Sequence, residues 1–197
     1  DAPLDMRMDP TRGRSAAEYI ADSSEADLVH ILRRYGEEPD AKRIARAIVE
    51  AQPTRTGELA NLVRDAMSAR QRRKLGVRID PATRTFQALR IAVNDELGEL
   101  ERLLDFGPKL LAEGGRLALI SFHSLEDRAI KQSFRKLSTA PQPPAGLPVL
   151  AEDIGDAPYS CPRAFAKGRT ATDAELDDNP RSRSARLRVL ERPRLAA

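Results

Sequence analysis

The chain has 197 residues, of which 41 % are apolar and 32 % are charged, a balance typical of folded globular proteins of one or two domains. No apolar run is long enough to span a membrane. One cysteine, Cys161, and two histidines, His30 and His123, exclude a disulfide framework and a four-ligand zinc site, so we predict no metal centre. The chain shows no basic-then-apolar leader. We therefore expect a cytoplasmic protein, and the start at Asp1 rather than methionine is compatible with a fragment.

The net charge of +3 conceals basic and acidic segments that alternate along the chain. Residues 15–41 carry two basic and seven acidic side chains, whereas residues 42–90 carry twelve basic and four acidic ones. From residue 180 onward, six arginines accompany one glutamate. Such clusters are typical of nucleic-acid surfaces because arginine binds phosphate oxygens in pairs, although ordinary solvated helices carry them too. Residues 42–90 are the candidate anion-binding surface.

The first 14 residues favour a loop or an extended chain, since Pro3, Pro10 and Gly13 interrupt them. Helical signals then continue to residue 69: capping residues precede apolar side chains at steps of three and four. Four helices are predicted, starting at Ser15, at Ser24, after Pro39 and at a capping Thr56. A basic connection is predicted next, formed by Arg70, Arg72, Arg73, Lys74 and Gly76.

The pattern changes after Pro81. Apolar residues at steps of three and four predict one long helix from Thr85 to about Phe106. The apolar run 117–122, bounded by turn residues, predicts a buried strand, and residues 125–137 predict another helix. Helix, Gly-Gly turn, strand and helix in this order are typical of one repeat of a parallel sheet, so the fold class is α/β.

The C-terminal third shows less regular patterns. Residues 138–180 are interrupted by prolines and predict a loop with short elements. In residues 185–189, apolar side chains alternate with arginine, which predicts a last strand with one polar face.

Ser121, His123 and Ser124 stand where the predicted strand ends and the next helix starts. Ligands of open α/β sheets bind at that end of the strands, and a helix start favours negative or electron-rich groups. A turn histidine bonded to the backbone explains His123 equally well. Ser124 and Asp127 have the spacing of a capping box, which explains Ser124 better than a nucleophilic role does, because no serine-elbow pattern accompanies it. A hydrolase is therefore poorly supported.

The predicted long helix carries a polar row beside its apolar one. Gln87, Arg90 and Asn94 fall at steps of three and four; they form either a solvated face or a surface that holds a nucleobase edge and its phosphate. Neither a Gly-x-Gly-x-x-Gly pattern nor a phosphate-binding loop is present. Pro143-Pro144 stands in Gln-Pro-Pro-Ala and lacks the aromatic signature of amino-methylating enzymes. We therefore predict no cofactor-binding residue within this chain.

Five strings of residues carry a family resemblance. They are residues 3–9 (PLDMRMD), 35–38 (YGEE), 41–48 (AKRIARAI), 82–91 (ATRTFQALRI) and 121–128 (SFHSLEDR). In these strings and in their order, the chain resembles the MraW family, the bacterial 16S ribosomal RNA cytosine-N4 methyltransferases. The resemblance extends from residue 1 to residue 188 and covers nearly the whole chain.

The resemblance implies a Rossmann-like methyltransferase sheet, to which the C-terminal part belongs, with an inserted all-helical substrate-recognition domain. Residues 1–14 would end an upstream methyltransferase segment, residues 15–80 would form the helical domain, and residues 81–197 would return to the methyltransferase domain. The family's S-adenosylmethionine loop lies before residue 3, so the chain is expected to be incomplete by itself. Pro39-Asp40 departs from the family, which has a basic and an aromatic residue there, and we assign no RNA contact to it.

The activity that the resemblance implies is S-adenosylmethionine-dependent methylation of the N4 amine of a cytidine in 16S ribosomal RNA of the small subunit. This amine is a poor nucleophile because its lone pair is delocalised into the ring, so the enzyme must align it and accept its hydrogens. We predict Asn94, His123 and Ser121 as the catalytic acceptors. Contacts to the flipped nucleotide and to RNA are predicted for Arg84, Gln87, Arg90, Ser124, Arg128 and Arg7, with Phe122 as a stacking partner.

Two other functions stay open at this point. A non-catalytic RNA-binding or ribosome-assembly module would use the helical domain and the basic tail and would need no cofactor. A DNA-binding helix-turn-helix in residues 24–50 fits less well, because no basic recognition helix follows a tight turn. We expect 16S ribosomal RNA as the partner and no association with a membrane. A homodimer is left open.

Overall fold

The computed structural model describes residues 1–75, 80–140 and 156–194. The chain divides into two compact units, Asp1–Glu96 and Leu97–Ala197. The domain limits at residues 14 and 80 that the resemblance implies stay predictions. Among the described residues, no helix combines the length and the apolar character that crossing a bilayer requires.

The first unit is built from helices. They are α1 (Ala16–Ala21), α2 (Glu25–Arg34), α3 (Ala41–Ala51), α4 (Thr56–Ala66), α5 (Ala69–Leu75) and α6 (Thr83–Asn94). The four helices predicted between residues 15 and 69 are confirmed. Ser15 and Ser24 cap α1 and α2 in capping boxes. The apolar faces of α1–α4 and α6 form one core, whose buried members include Ile20, Leu28, Leu32, Ile44, Ile48, Leu59 and Leu89.

The start of α4 differs from the prediction. Thr56 is the first residue of this helix and not its cap. The carboxylate of Glu58 accepts hydrogen bonds from the backbone N–H groups of Thr54 and Arg55, at 2.9 and 3.0 Å. A side chain from inside the first turn thus satisfies the donors ahead of the helix.

The predicted basic connection after residue 69 is wrong for residues 70–74, which belong to helix α5, and Gly76 lies outside the described residues. The hydroxyl of Ser68 accepts the N–H of Gln71 at 3.3 Å. The guanidinium of Arg72 donates to the carbonyl of Met67 at 3.0 Å. Such local bonds stabilise a short helix that has no apolar periodicity, which is why the sequence pattern does not indicate it.

The predicted single helix from Thr85 to Phe106 is also wrong. Asp95 has a left-handed backbone, with φ of 48°, so α6 ends at Asn94 and α7 (Glu96–Phe106) begins after it. A left-handed residue cannot continue a right-handed helix, and aspartate adopts this conformation more readily than most residues. The apolar spacing hides the break because Val93 and Leu97 keep their four-residue step across it.

The second unit contains a three-stranded antiparallel sheet. Its strand order is β1 (Arg116–Ser121), β3 (Arg186–Glu191), β2 (Arg169–Thr170). In the register of β1 and β3, Ser121 lies opposite Arg186. The expected parallel repeat is therefore not what the described strands form: the predicted last strand returns antiparallel to β1.

Strand β1 is less buried than predicted. Every second residue is half-buried, and the others face outward until Ser121. Ile120 is 60 % exposed, and Phe122, just beyond the strand, is 57 % exposed. Within the described residues, β1 pairs along one edge only, with β3. The inner side chains of β1 pack against a small core of Leu104, Ile130, Phe134 and Leu190.

Helix α8 (Ser124–Leu137) follows β1 and contributes two of these core residues. The described part of the predicted loop contains short elements, as expected, and residues 141–155 lie outside the described residues. These elements are the 3₁₀ turn Arg163–Phe165, β2, α9 (Asp173–Asp178) and the start of the 3₁₀ turn Pro180–Ser184. The predicted polar face of the last strand is wrong at Arg188, which is buried and pairs with Asp127.

Candidate functional site

The Asp5–Asp9 segment of the first unit has a fixed turn. The Arg7 guanidinium donates two hydrogen bonds to the carboxylate of Asp5, at 2.7 and 2.8 Å, and a third to the carbonyl of Gly13 at 3.2 Å. The side-chain hydrogen bond from Arg7 lowers the pKa of Asp5 to about 2. Met6 between them has a positive φ of 65°. Only a well-determined environment holds a non-glycine residue in that conformation.

Asn94 supplies this environment. Its Nδ2 donates to the carbonyl of Met6 at 2.9 Å and to the carbonyl of Arg90 at 2.8 Å. Its Oδ1 accepts the N–H of Met8 at 2.8 Å. Both amide hydrogens are thus engaged by the backbone, and one lone pair of Oδ1 is left to accept a further hydrogen bond. The structure brings Asn94 and Arg7 together, since the amide bonds to the residues on either side of Arg7.

The other predicted residues of α6 contact neighbouring parts of the same unit. The Gln87 amide donates to the carbonyl of Tyr35 at 3.1 Å, and Arg84 donates to the carbonyl of Glu37 at 3.5 Å. Arg90 forms a two-pronged ion pair with Glu96, at 2.8 and 3.0 Å. The polar row of α6 is therefore not simply a solvated face: it links the helix to the α2–α3 loop and to the start of α7.

Glu38, which the sequence analysis did not single out, is buried in the same α2–α3 loop. Its Oε1 accepts the N–H of Asp40 at 3.0 Å, and its Oε2 is buried with no hydrogen-bond partner among the described residues. Burial raises the pKa of Glu38, against the opposing effects of that hydrogen bond and of the charge on Arg84. No local pattern distinguishes a buried glutamate from its exposed neighbour Glu37.

In the second unit, His123 and not Ser124 caps α8. The imidazole Nδ1 accepts the N–H of Glu126 at 3.4 Å, and the carboxylate of Glu126 accepts the N–H groups of Phe122 and His123, at 2.8 and 3.3 Å. The capping box predicted for Ser124 is therefore wrong by one residue. Ser124 is an exposed first-turn residue of α8.

The His123–Glu126 pair is electrostatically coupled. Burial alone would raise the pKa of Glu126, but the adjacent imidazole of His123 and the backbone N–H groups of Phe122 and His123 outweigh it and leave this pKa below its ordinary value. Because Nδ1 accepts a hydrogen bond, a neutral ring carries its hydrogen on Nε2. That atom lies 3.3 Å from Glu126 Oε1, without hydrogen-bond geometry.

The remaining predicted residues of this unit differ in their surroundings. Ser121 is buried, and its hydroxyl donates to the carbonyl of Arg186 at 3.4 Å, across the β1–β3 pair. Arg128 is exposed on α8. The structure thus places Ser121, His123 and Ser124 together around the start of α8, as predicted, with Glu126 as an additional member.

The glycine pair of the second unit, Gly114-Gly115, is held by hydrogen bonds to backbone carbonyl groups. The N–H of Gly114 donates to the carbonyl of Arg192 at 2.7 Å, and the N–H of Gly115 to that of Ala112 at 2.8 Å. A side chain at Gly115 would come within 2.8 Å of the Ala112 carbonyl oxygen. We find no nucleotide cradle in the described residues, and we assign none of them to a cofactor.

Comparison with known families identifies the class of protein. A model of the MraW methylase family matches residues 1–193 of the chain. The chain belongs to this family, and the resemblance seen in the sequence is confirmed. It is therefore a methyltransferase by family, of a kind that generally uses S-adenosylmethionine.

Proposed function

We propose that this protein methylates the N4 amine of a cytidine in 16S ribosomal RNA of the small subunit, with S-adenosylmethionine as the methyl donor. The match to the MraW methylase family over residues 1–193 carries the proposal. The substrate is proposed from the five strings that resemble the family. The place of action would be the cytoplasm, where ribosomal subunits assemble.

The proposed architecture is a Rossmann-like sheet with an inserted helical domain. The edge of β1 that no described strand covers, with exposed Ile120 and Phe122, supports a sheet that extends beyond the described strands. The helical composition of residues 15–75 supports an inserted substrate-recognition domain. The described residues show no cofactor cradle, so the residues that bind S-adenosylmethionine are proposed to belong to the rest of that sheet.

The proposed catalytic groups accept hydrogen from the amine and align it. Asn94 can do so through the free lone pair of Oδ1, and Ser121 through its hydroxyl oxygen. His123 can do so only if the neutral ring moves its hydrogen to Nδ1 and gives up the bond from Glu126 N.

RNA contacts are proposed for polar side chains of each unit. Arg7 and Arg90 form ion pairs with Asp5 and Glu96, and would exchange these carboxylates for phosphates when RNA binds. The other proposed contacts are Arg84, Gln87, Ser124 and Arg128.

The test is a methylation assay on small subunits whose 16S ribosomal RNA lacks the modification. Because we expect the cofactor motifs before residue 3, the assay compares the 197-residue chain with a form extended at its amino terminus. We expect N4-methylcytidine, detected by mass spectrometry of the digested RNA, only with the extended form and S-adenosylmethionine. No product from either form would contradict the proposal.

A second candidate function is a non-catalytic RNA-binding or assembly module, which the lack of a cofactor cradle in the described residues favours. Calorimetric titration with S-adenosylmethionine distinguishes the two. An enzyme binds the cofactor in at least one form of the chain, whereas a binding module binds RNA but not the cofactor in either form.

A further inference from the structure

Helix α3 of the first unit has one buried face and one strongly basic face. Ile44 and Ile48 are fully buried. The opposite side carries Lys42, Arg43 and Arg46, all exposed. These three side chains fall within about 100° of the helix circumference, at the helical step of about 100° per residue. The basic run in the sequence is therefore a contiguous patch.

Helix α5 separates its basic residues into two roles. Arg70, Arg73 and Lys74 lie at steps of three and four on one face and are exposed. Arg72 lies on the opposite side, where its guanidinium donates to the carbonyl groups of Met67 and Asp65 at the end of α4. Arg72 is thus a structural residue, and the other three are available to a partner.

A hydrogen bond joins the residues that precede the two basic helices, α3 and α5. The carboxylate of Asp40, directly before α3, accepts the N–H of Ser68, directly before α5, at 2.7 Å. Lys42 and Arg70 therefore each lie two residues from the same hydrogen bond. We call the six residues Lys42, Arg43, Arg46, Arg70, Arg73 and Lys74 the basic surface.

The cations of this surface are poorly neutralised. Arg46 has a distant ion pair with Glu25, at 3.8 Å. Among the residues that the structure describes, no carboxylate lies within 4 Å of the other five cations. Like charges gathered in this way repel one another. The phosphates of a polyanion neutralise them, and the counterions that the polyanion releases add a favourable entropy.

The composition of the surface indicates which polyanion it fits. Helices that bind a lipid surface typically insert apolar side chains beside their cations. No exposed large hydrophobic residue lies on α3 or on residues 69–74 of α5, the part of that helix whose side chains the structure describes. No aromatic side chain stands in either helix to stack on a base. Lysine and arginine without aromatic neighbours are typical of contacts to the phosphate backbone.

We propose that the basic surface binds the phosphate backbone of RNA without reading its sequence. The proposal rests on the proposed function in one respect, that RNA is the substrate class. The surface adds affinity and orientation, while the selection of the target base belongs to the residues described above. Arg72 takes no part in the contact.

Fluorescence anisotropy with labelled RNA hairpins of two unrelated sequences tests this, at several salt concentrations and without S-adenosylmethionine. In the R70Q/R73Q/K74Q variant we expect the slope of log K against log salt to fall by about 2 to 3, since each lost phosphate contact removes roughly one unit. Affinity at low salt should fall at least about tenfold, to the same extent for both sequences. The K42Q/R43Q variant should lose about 1 to 2 units of slope.

Two controls separate binding from folding. R14Q/R64Q removes two cations of the same unit that already pair with Asp22 and Asp80, at 2.8 and 2.6 Å, and should leave the slope nearly unchanged. R72Q should lower the melting temperature and leave the slope unchanged. An unchanged slope in R70Q/R73Q/K74Q, or an equal loss in R14Q/R64Q, would overturn the proposal.

Two further outcomes separate RNA binding from membrane binding, and the basic surface from the proposed methyltransferase activity. If the same substitutions abolish binding to phosphatidylserine vesicles but not to RNA, the surface binds membranes and the proposal is wrong. Because the assay involves no methyl transfer, a reduced slope supports the basic surface even if the methylation assay fails.

Discussion

Arg188 and Asp127 form a two-pronged ion pair that joins β3 to α8. The guanidinium Nε lies 2.7 Å from Oδ1, and Nη2 lies 3.0 Å from Oδ2. The Arg188 side chain is only 7 % exposed, whereas that of Asp127 is 23 % exposed. Loss of Asp127 should therefore destabilise the unit more than loss of Arg188. Without Asp127 the arginine is a buried, unpaired charge, whereas without Arg188 the aspartate still reaches water.

We expect Asp127→Asn to lower the free energy of unfolding by about 2 to 3 kcal/mol, since it leaves Arg188 uncompensated. Arg188→Met should lower it less, because the remaining carboxylate reaches water. Urea denaturation of the two single variants and the double variant measures the coupling, expected at about 1 kcal/mol or more. If the losses of unfolding free energy in the two single variants add up to the loss in the double variant, the ion pair does not stabilise the unit.

Asn94 is expected to hold the turn at Met6. Asn94→Ala removes three hydrogen bonds to backbone and should lower the free energy of unfolding by about 1 to 2 kcal/mol. Asn61→Ala, at an exposed asparagine of α4, is the matched control and should change the free energy by less than about 0.5 kcal/mol. Equal effects of the two alanine substitutions in urea denaturation would contradict this role.

The helices of the first unit could be predicted from the sequence because their signals are local. Ser15 and Ser24 cap their helices, and apolar residues recur at helical steps. The break between α6 and α7 at Asp95 could not be predicted, since a single left-handed residue leaves the helical spacing of the apolar residues intact. The pairing of β1 with β3 could not be predicted either. It joins Ser121 to Arg186, 65 residues later in the chain, and a local pattern does not indicate the direction in which so distant a strand returns.

In the candidate site, too, local signals predict some features, and others depend on contacts that a local pattern does not show. The cluster at the strand end was predictable from the order of strand and helix, and Ser121, His123 and Ser124 do lie there. The choice of His123 as the cap depends on Glu126, whose carboxylate turns back to the N–H groups before the helix. Two of the three bonds of the Asn94 amide depend on contacts with a segment more than 80 residues away, which no spacing rule indicates.

Glu38 makes the stability of the first unit depend on pH. Its folded pKa is raised above the ordinary value of 4.5 by burial, so the folded state holds this proton more tightly than the unfolded state. The contribution of Glu38 is therefore most favourable below about pH 4.5 and is lost as the pH rises through the folded pKa.

Glu38→Gln removes this titration. We expect the difference in the free energy of unfolding, variant minus wild type, to increase as the pH rises from 4.5 and to level off above the folded pKa. Urea denaturation at a series of pH values measures it. Glu37→Gln, at the exposed neighbour, is the control. A difference for Glu38→Gln that does not change with pH would show that this carboxyl titrates alike in both states.

His123 has two candidate roles that one pair of substitutions separates. His123→Asn keeps a side-chain oxygen that can accept the Glu126 N–H, because asparagine is among the best helix caps, but it removes the imidazole. His123→Ala removes both and should lower the free energy of unfolding by about 1 kcal/mol more than His123→Asn does.

If the imidazole takes part in methyl transfer, both variants lose activity to a similar extent, by about 100-fold as is usual for a group that handles a proton. If His123 is only a cap, His123→Asn retains activity near the wild-type level and His123→Ala loses it in step with its stability. Methylation rates of the two variants in the form extended at its amino terminus, at a temperature where both are folded, decide between the two roles when compared with their unfolding free energies. Glu126→Gln keeps one oxygen for the Phe122 N–H and serves as a further check, since a pure capping function predicts a small loss of both stability and activity.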